Sequence, residues 1–150
     1  RKNVRNIVKA FKKVNSRLSL VVVGNSEVKD LEEVGGVMFI GHVSFDELAA
    51  LYSGAEALVY TSLYEGFGLP ILEAMQVGCP VVTSDLGAMK ETAGSAAVLV
   101  DPNDIEDIKG GVEEAMENRE SWVSRGLKRS KEFSWEETAR RTLDVYMEAG

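Results

Sequence analysis

Five short apolar runs, LSLVVVG, VMFIG, EALVYTS, CPVVTS and AAVLVDP, set the first limit on what this chain can become. They are rich in β-branched residues and bounded by Gly, Pro or Ser, which marks them as strands. They lack the regular polar alternation of a strand with one wet face, so each demands cover on both sides. Parallel sheets with helices on both faces supply that cover.

The stretches between the runs carry helical periodicity. Val4, Ile7, Val8, Phe11 and Val14 recur at helical spacing before the first run. Residues 28–34 form a short helix candidate before the second. Ser44 and Glu47 stand in capping-box spacing ahead of Phe45, Leu48, Leu51 and Tyr52. After the last run, Ile105, Ile108, Val112 and Met116 form a stripe interrupted by Gly110 and Gly111, each costing about 1 kcal/mol against Ala. Ser134 and Glu137 predict a second capping box and a terminal helix with Ala139, Leu143, Tyr146 and Met147 turned inward. Trp122 and Trp135 read as packing anchors in helical sequence. The fold class is therefore α/β: a doubly wound, Rossmann-like parallel sheet with helices on both faces.

At 150 residues the chain is about one domain long. A net charge of −7 and a pI near 4.8 leave no broad basic face to neutralise a phosphate backbone, which argues against nucleic acid as a partner. Cys79 is alone and cannot form an internal disulfide, and neither a signal peptide nor an apolar run of membrane length is present. These features predict a cytoplasmic protein. The start at Arg1 without Met, directly in helical sequence, leads us to expect a piece of a longer protein.

The stretch YEGFGLPILEA, from Tyr64 to Ala74, asks for a ligand. It follows the third strand, and Pro70 marks a helix start because proline is tolerated in the first turn. Gly66 and Gly68 then lie just before a helix N-terminus, where unpaired amides and the positive end of the helix dipole favour an anion. The carboxyl end of a strand is also where open α/β sheets bind ligands. Glu65 and Glu73 flank this cradle, and a carboxylate is a good acceptor for paired hydroxyls. A ligand carrying both phosphate and hydroxyls fits, as a nucleotide sugar does. The plainer alternative stays open: Glu73 could simply favour the helix dipole, and Glu65 could be a solvated turn residue. GFGLPI has Ile71 where a dinucleotide fingerprint needs glycine, and no P-loop motif occurs.

The segment SLYEGFGLPILEAMQVGCPVVTSDLGAMKETAGSAAVLVDP, with RKNV at the start and GHVS between, resembles the carboxyl-terminal half of a family 4 (group 1) retaining glycosyltransferase of the GT-B fold. The likeness covers nearly all of the chain, and its specific element is the E-x7-E spacing. It implies that residues 1–150 form the nucleotide-sugar (donor) binding domain, with an amino-terminal acceptor domain elsewhere. The implied activity moves a hexose from a nucleoside-diphosphate sugar to an acceptor hydroxyl with retention and without a metal or other cofactor. The implied acceptor is a glycan or glycolipid, and the full-length enzyme would be peripheral to a membrane. RKN with EGFGLPILEA is similar to polysaccharide mannosyltransferases, which makes GDP-mannose one candidate donor and leaves the base open among UDP, GDP and ADP. A nucleotide-sugar epimerase of GT-B architecture and a non-catalytic nucleotide-binding domain are the alternatives.

Carried over position by position, the resemblance makes Glu65 the contact to donor-sugar hydroxyls and Glu73 the holder of the ribose diol. The backbone of Gly66, Phe67, Gly68 and Leu69 would lie against sugar and diphosphate. Lys2 matches the lysine that offsets charge on the leaving diphosphate, although a solvated lysine at a helix start would look the same. Gly41 and Val43 of the GHVS turn are candidates for the base pocket, and Gly24 for the cleft edge. His42 reads as a loop residue, and Glu91 resembles a frequent family glutamate, with a helix-end structural role as the alternative. The resemblance further implies an arginine upstream of Lys2 and a central strand before RKN, in the order 3-2-1-4-5-6.

Overall fold

Strands and helices alternate along the chain as the apolar runs require. The computed structural model of the chain describes residues 1–14, 17–24 and 35–149. The helix expected at residues 28–34 lies outside the described residues. The elements are α1 (Val4–Phe11), β1 (Leu20–Val23), β2 (Val37–Gly41), α2 (Phe45–Gly54), β3 (Leu58–Tyr60) and α3 (Leu69–Gln76), then β4 (Val81–Ser84), α4 (Gly87–Ala93), β5 (Val98–Val100), α5 (Ile105–Glu117), α6 (Arg119–Ser130) and α7 (Trp135–Ala149).

All strand pairs are parallel, in two separate ladders ordered β1-β2 and β3-β4-β5. Leu58 faces Val81 across the second ladder, and Val82 in turn faces Val98. Because side chains alternate across a strand, this sheet divides its residues between two cores. On one face Val82, Val98 and Val100 pack with Ala10 of α1 and with Ile108 and Ala115 of α5. On the other, Val81 packs with Ile71 and Met75 of α3 and Met89 and Ala93 of α4, with Leu58, Tyr60 and Leu99 partly buried against them. Burial of each such aliphatic side chain contributes about 1.5–3 kcal/mol. This is the doubly wound α/β arrangement.

Gly111 finds its reason here. A Cβ at this position would sit 2.6 Å from Val100 Cγ1 and 3.1 Å from Val82 Cγ1, so only glycine lets α5 lie this close on the sheet. Gly110 faces open space, and nothing in the structure explains it. Gly126 brings α6 onto α3 in the same way, with Met75 Cγ 3.0 Å from where a Cβ would be.

Three expectations need correction. The terminal helix does not turn Leu143, Tyr146 and Met147 inward: α7 buries no residue, and these side chains and Ala139 are exposed. Trp135 is exposed as well, whereas Trp122 packs against the α5 core with the Arg125 guanidinium over its ring. Ser134 does accept from the Glu137 amide, but the Glu137 carboxylate pairs with Arg140 and Arg141 instead of completing a box. The first capping box, Ser44 with Glu47, forms in full.

Candidate functional site

The site is built where β3 ends. Two hydroxyls of β4 brace that end: Thr83 donates to the Tyr60 carbonyl at 2.8 Å and Ser84 to the Ser62 carbonyl at 2.6 Å. The chain then makes the glycine loop and enters α3, which starts at Leu69, one residue before the Pro70 start that the sequence suggests, with Pro70 second in the helix. Gly68 caps this helix at φ 93°, ψ 44°, a left-handed conformation that favours glycine. A side chain there would also press on Ile71, whose Cδ1 lies 3.1 Å from where a Cβ would be.

Lys2 comes from the segment that precedes α1. Asn3 and Asn6 of the α1 start both donate to the Pro102 carbonyl, at 2.6 and 3.1 Å, and the Arg1 carbonyl accepts from the Leu63 amide at 3.0 Å. These tethers put Lys2 beside the loop. Its Nζ lies 2.7 Å from Glu65 Oε1, donates to the Tyr60 hydroxyl at 3.0 Å, and sits 4.9 Å from the centre of the Tyr60 ring. Lys2 is half exposed, while the Glu65 side chain is only 12% exposed.

The electrostatics follow from this geometry. Burial pushes the Glu65 carboxyl up, but the Lys2 ammonium, as donor and as charge, with lesser help from the neighbouring Ser62 and Tyr60 hydroxyls, outweighs it and holds the group below its ordinary 4.5. Burial likewise pulls Lys2 down, and Glu65 and Tyr60 more than restore it above its ordinary 10.5. The carboxylate's contribution is present above the ordinary carboxylate value and fades as pH falls through the lower folded one. The ammonium's contribution is present below 10.5 and fades as pH rises through the higher folded value. The pair therefore stays charged across the neutral range.

Glu73 lies elsewhere on α3, partly buried. Its neighbour is Tyr52 of α2, whose hydroxyl is pushed far above the ordinary phenol range by burial first, then by the charges of Glu73, Cys79 and Tyr60 and a hydrogen bond with Glu73. Tyr52 and Tyr60 both pack on the α3 core. The structure thus brings Lys2 and Glu65 into contact, whereas Glu73 on α3 has Tyr52 as its partner. At the other ladder Gly24 and Gly41 meet in an antiparallel bridge, with the Gly24 amide on the Gly41 carbonyl at 2.6 Å. Val43 follows, half buried, and His42 is exposed.

Gly66, Phe67 and Leu69 are exposed and Gly68 is buried. A cavity of about 240 Å³ opens beside the loop, lined by Gly66, Phe67, Ala88, Glu91, Thr92, Arg129 and Phe133. Among the described residues no group of three or more His, Cys, Asp and Glu side chains could hold a metal ion, and no helix is long and apolar enough to cross a membrane. Sequence reasoning missed Tyr60, Ser62, Tyr52 and Thr92. Tyr60 and Ser62 were within reach, since Tyr60 ends the strand that leads to Glu65 and Ser62 lies between them in sequence.

A family model described as "Glycosyl transferases group 1" matches residues 1–132. O-antigen chain mannosyltransferase B of Escherichia coli is 36% identical over 97% of this chain and 42% of its own length. O-antigen chain mannosyltransferase RfbU of Salmonella typhimurium is 39% identical over 69% of this chain and 32% of its own length. The chain thus spans less than half the length of these relatives. Among solved structures, sucrose-phosphate synthase from Thermosynechococcus elongatus aligns with a TM-score of 0.82 at 26% identity, covering 99% of this chain and 42% of that one. The Anabaena protein HepE, solved with UDP and glucose, aligns with a TM-score of 0.85 at 19% identity over 99% of this chain and 45% of its own.

Proposed function

The chain belongs to the group 1 glycosyl transferases, and on that premise we propose that it is the donor-binding domain of a retaining enzyme. The full-length protein moves a hexose from a nucleoside-diphosphate sugar to a hydroxyl of a glycan or glycolipid, and an amino-terminal domain supplies most of the acceptor site. The observation that carries this reading is the contact of Lys2 Nζ with Glu65 at 2.7 Å, directly before a loop of amides that opens α3. A cation, an anion cradle and a hydroxyl acceptor are then side by side, which is what a sugar diphosphate asks for.

In this mechanism the incoming hydroxyl attacks from the face the diphosphate leaves. The leaving phosphate oxygen takes the hydroxyl proton while positive charge develops on the sugar ring. Lys2 and the amides of Gly66 to Leu69 stabilise the negative charge on the leaving diphosphate. Glu65 orients the sugar through its hydroxyls. Glu73 holds the ribose diol, and Gly24, Gly41 and Val43 border the base. No metal ion is needed for these roles. The names of the mannosyltransferase relatives favour mannose as the transferred sugar.

Thermal-shift titration with UDP, GDP and ADP tests the donor site, because a ligand of the native state raises its stability by mass action. In the full-length protein, Glu65→Ala lowers transfer by about 10²–10³-fold and blurs sugar discrimination, whereas Glu73→Ala mainly weakens nucleotide binding. Unchanged nucleotide and nucleotide-sugar affinity in both variants would discard the assignment.

A further inference from the structure

The cavity beside the glycine loop has walls that the donor-site reading does not use, and they are joined in a closed circuit. Thr92 lies in the last turn of α4 and is 3% exposed. Its hydroxyl donates to the Phe67 carbonyl at 2.6 Å. Its own carbonyl accepts from Arg129 Nε at 3.0 Å, and the Glu91 carbonyl accepts from Arg129 Nη2 at 2.7 Å. These are end-of-helix carbonyls, which have no partner within the helix and need one from outside. The Arg129 guanidinium lies 4.8 Å from the centre of the Phe133 ring, and that ring meets Phe67 edge-on at 5.9 Å and 80°. Phe67 is therefore gripped at both its carbonyl and its ring, from α4 and from the end of α6.

The carbonyl matters because of what shares its peptide plane. The Phe67 carbonyl and the Gly68 amide belong to one planar trans unit, so they point in opposite directions. Fixing the carbonyl on Thr92 aims the Gly68 N–H away from α4. Among the described residues no backbone acceptor meets the Gly68 amide. As the N-cap of α3, Gly68 stands where helix N–H groups have no intrahelical acceptor, and an amide whose direction is fixed there can meet an arriving anion.

We propose that Thr92 is a positioning residue for the anion cradle. Its hydroxyl sets the rotation of the Phe67–Gly68 peptide, which presents the Gly68 amide to the anionic part of the ligand, and Arg129 with Phe133 holds Thr92 in place. This rests on the donor-site reading above and names a residue that touches no ligand itself. A merely structural threonine would tolerate loss of its hydroxyl without changing ligand affinity.

The experiment is a titration of the full-length protein with UDP, GDP and ADP, followed by Thr92→Val and Thr92→Ser with whichever nucleotide the wild type binds. Valine keeps the shape and removes the hydroxyl; serine keeps the hydroxyl. The expected result is a dissociation constant raised about tenfold in Thr92→Val, as for one lost hydrogen bond to a charged ligand, with affinity retained in Thr92→Ser. Unchanged affinity in Thr92→Val overturns the proposal, and so does a serine variant as weak as the valine one. If Thr92→Val fails to fold, Arg129→Gln takes its place, leaving the hydroxyl but loosening its brace: weaker binding supports the role and unchanged binding overturns it. A wild type that binds none of the three nucleotides would remove the donor-site reading itself, whereas a binding wild type with indifferent variants removes only the role of Thr92.

Discussion

β1 and β4 are both four-residue parallel strands of valine-rich sequence, LVVV and VVTS, yet they end in different surroundings. Every residue of β4 is buried, including Thr83 and Ser84, while β1 is half buried with Val23 exposed. The reason is position. β4 pairs with a strand on each side and carries α3 and α5 on its faces, whereas β1 among the described residues has a single ladder partner in β2. Apolarity therefore proposes burial, and neighbours decide it. The consequence for function is a division of labour: the loop, Glu65 and Glu73 grow from the covered sheet, and Gly24, Gly41 and Val43 from the thinner pair.

The sharpest way to break this comparison is to delete volume on each side. Ile108, fully buried over β4 and β5, should lose about 2–5 kcal/mol on change to Ala. Met38 of β2 is 48% exposed and should lose no more than about 0.5 kcal/mol on the same change. Urea unfolding of the two variants gives both numbers, and equal losses would refute the contrast.

A smaller effect sharpens it by testing how tightly the covered sheet is packed. Gly111→Ala drives a Cβ into Val100 and Val82 and should cost about 1–3 kcal/mol. Gly110→Ala, one residue along the same helix, meets nothing and should stabilise by up to about 1 kcal/mol. Opposite shifts in melting temperature are the expected outcome; two shifts of the same sign would mean that α5 does not sit on the sheet as described.

The smallest effect belongs to the amino-terminal side, where local devices carry more of the order. α2 has no fully buried residue, but its capping box is complete. Ser44→Ala should cost about 1 kcal/mol, seen as a lowered melting temperature and as early amide exchange in the first turn of α2. A silent substitution would mean that packing, not the cap, holds this helix.

Much of the fold was legible because its signals are local. Each apolar run became a strand, and Ser44 with Glu47 started a helix from side chains three residues apart. The candidate loop was legible for the same reason, since Gly68 and Pro70 mark a helix start by their own dihedral limits. Gly110 and Gly111 looked equivalent, because the difference between them is made by valines of other strands. The stripe on α7 and Trp135 misled because periodicity reports an apolar face without reporting whether anything in this chain covers it.

What the sequence determined by itself was the set of elements and the chemistry available at the end of β3: two carboxylates, a run of glycine amides and a lysine near the start. What only the tertiary structure decided was who meets whom. Lys2 and Glu65 are 63 positions apart in number yet 2.7 Å apart in space, and Tyr60, Tyr52 and Thr92 acquire their roles through partners on other elements. The physical reason is range: dihedral preferences and helix caps act over a few residues, while ion pairs and packing act between whatever the folded chain brings within a few ångströms.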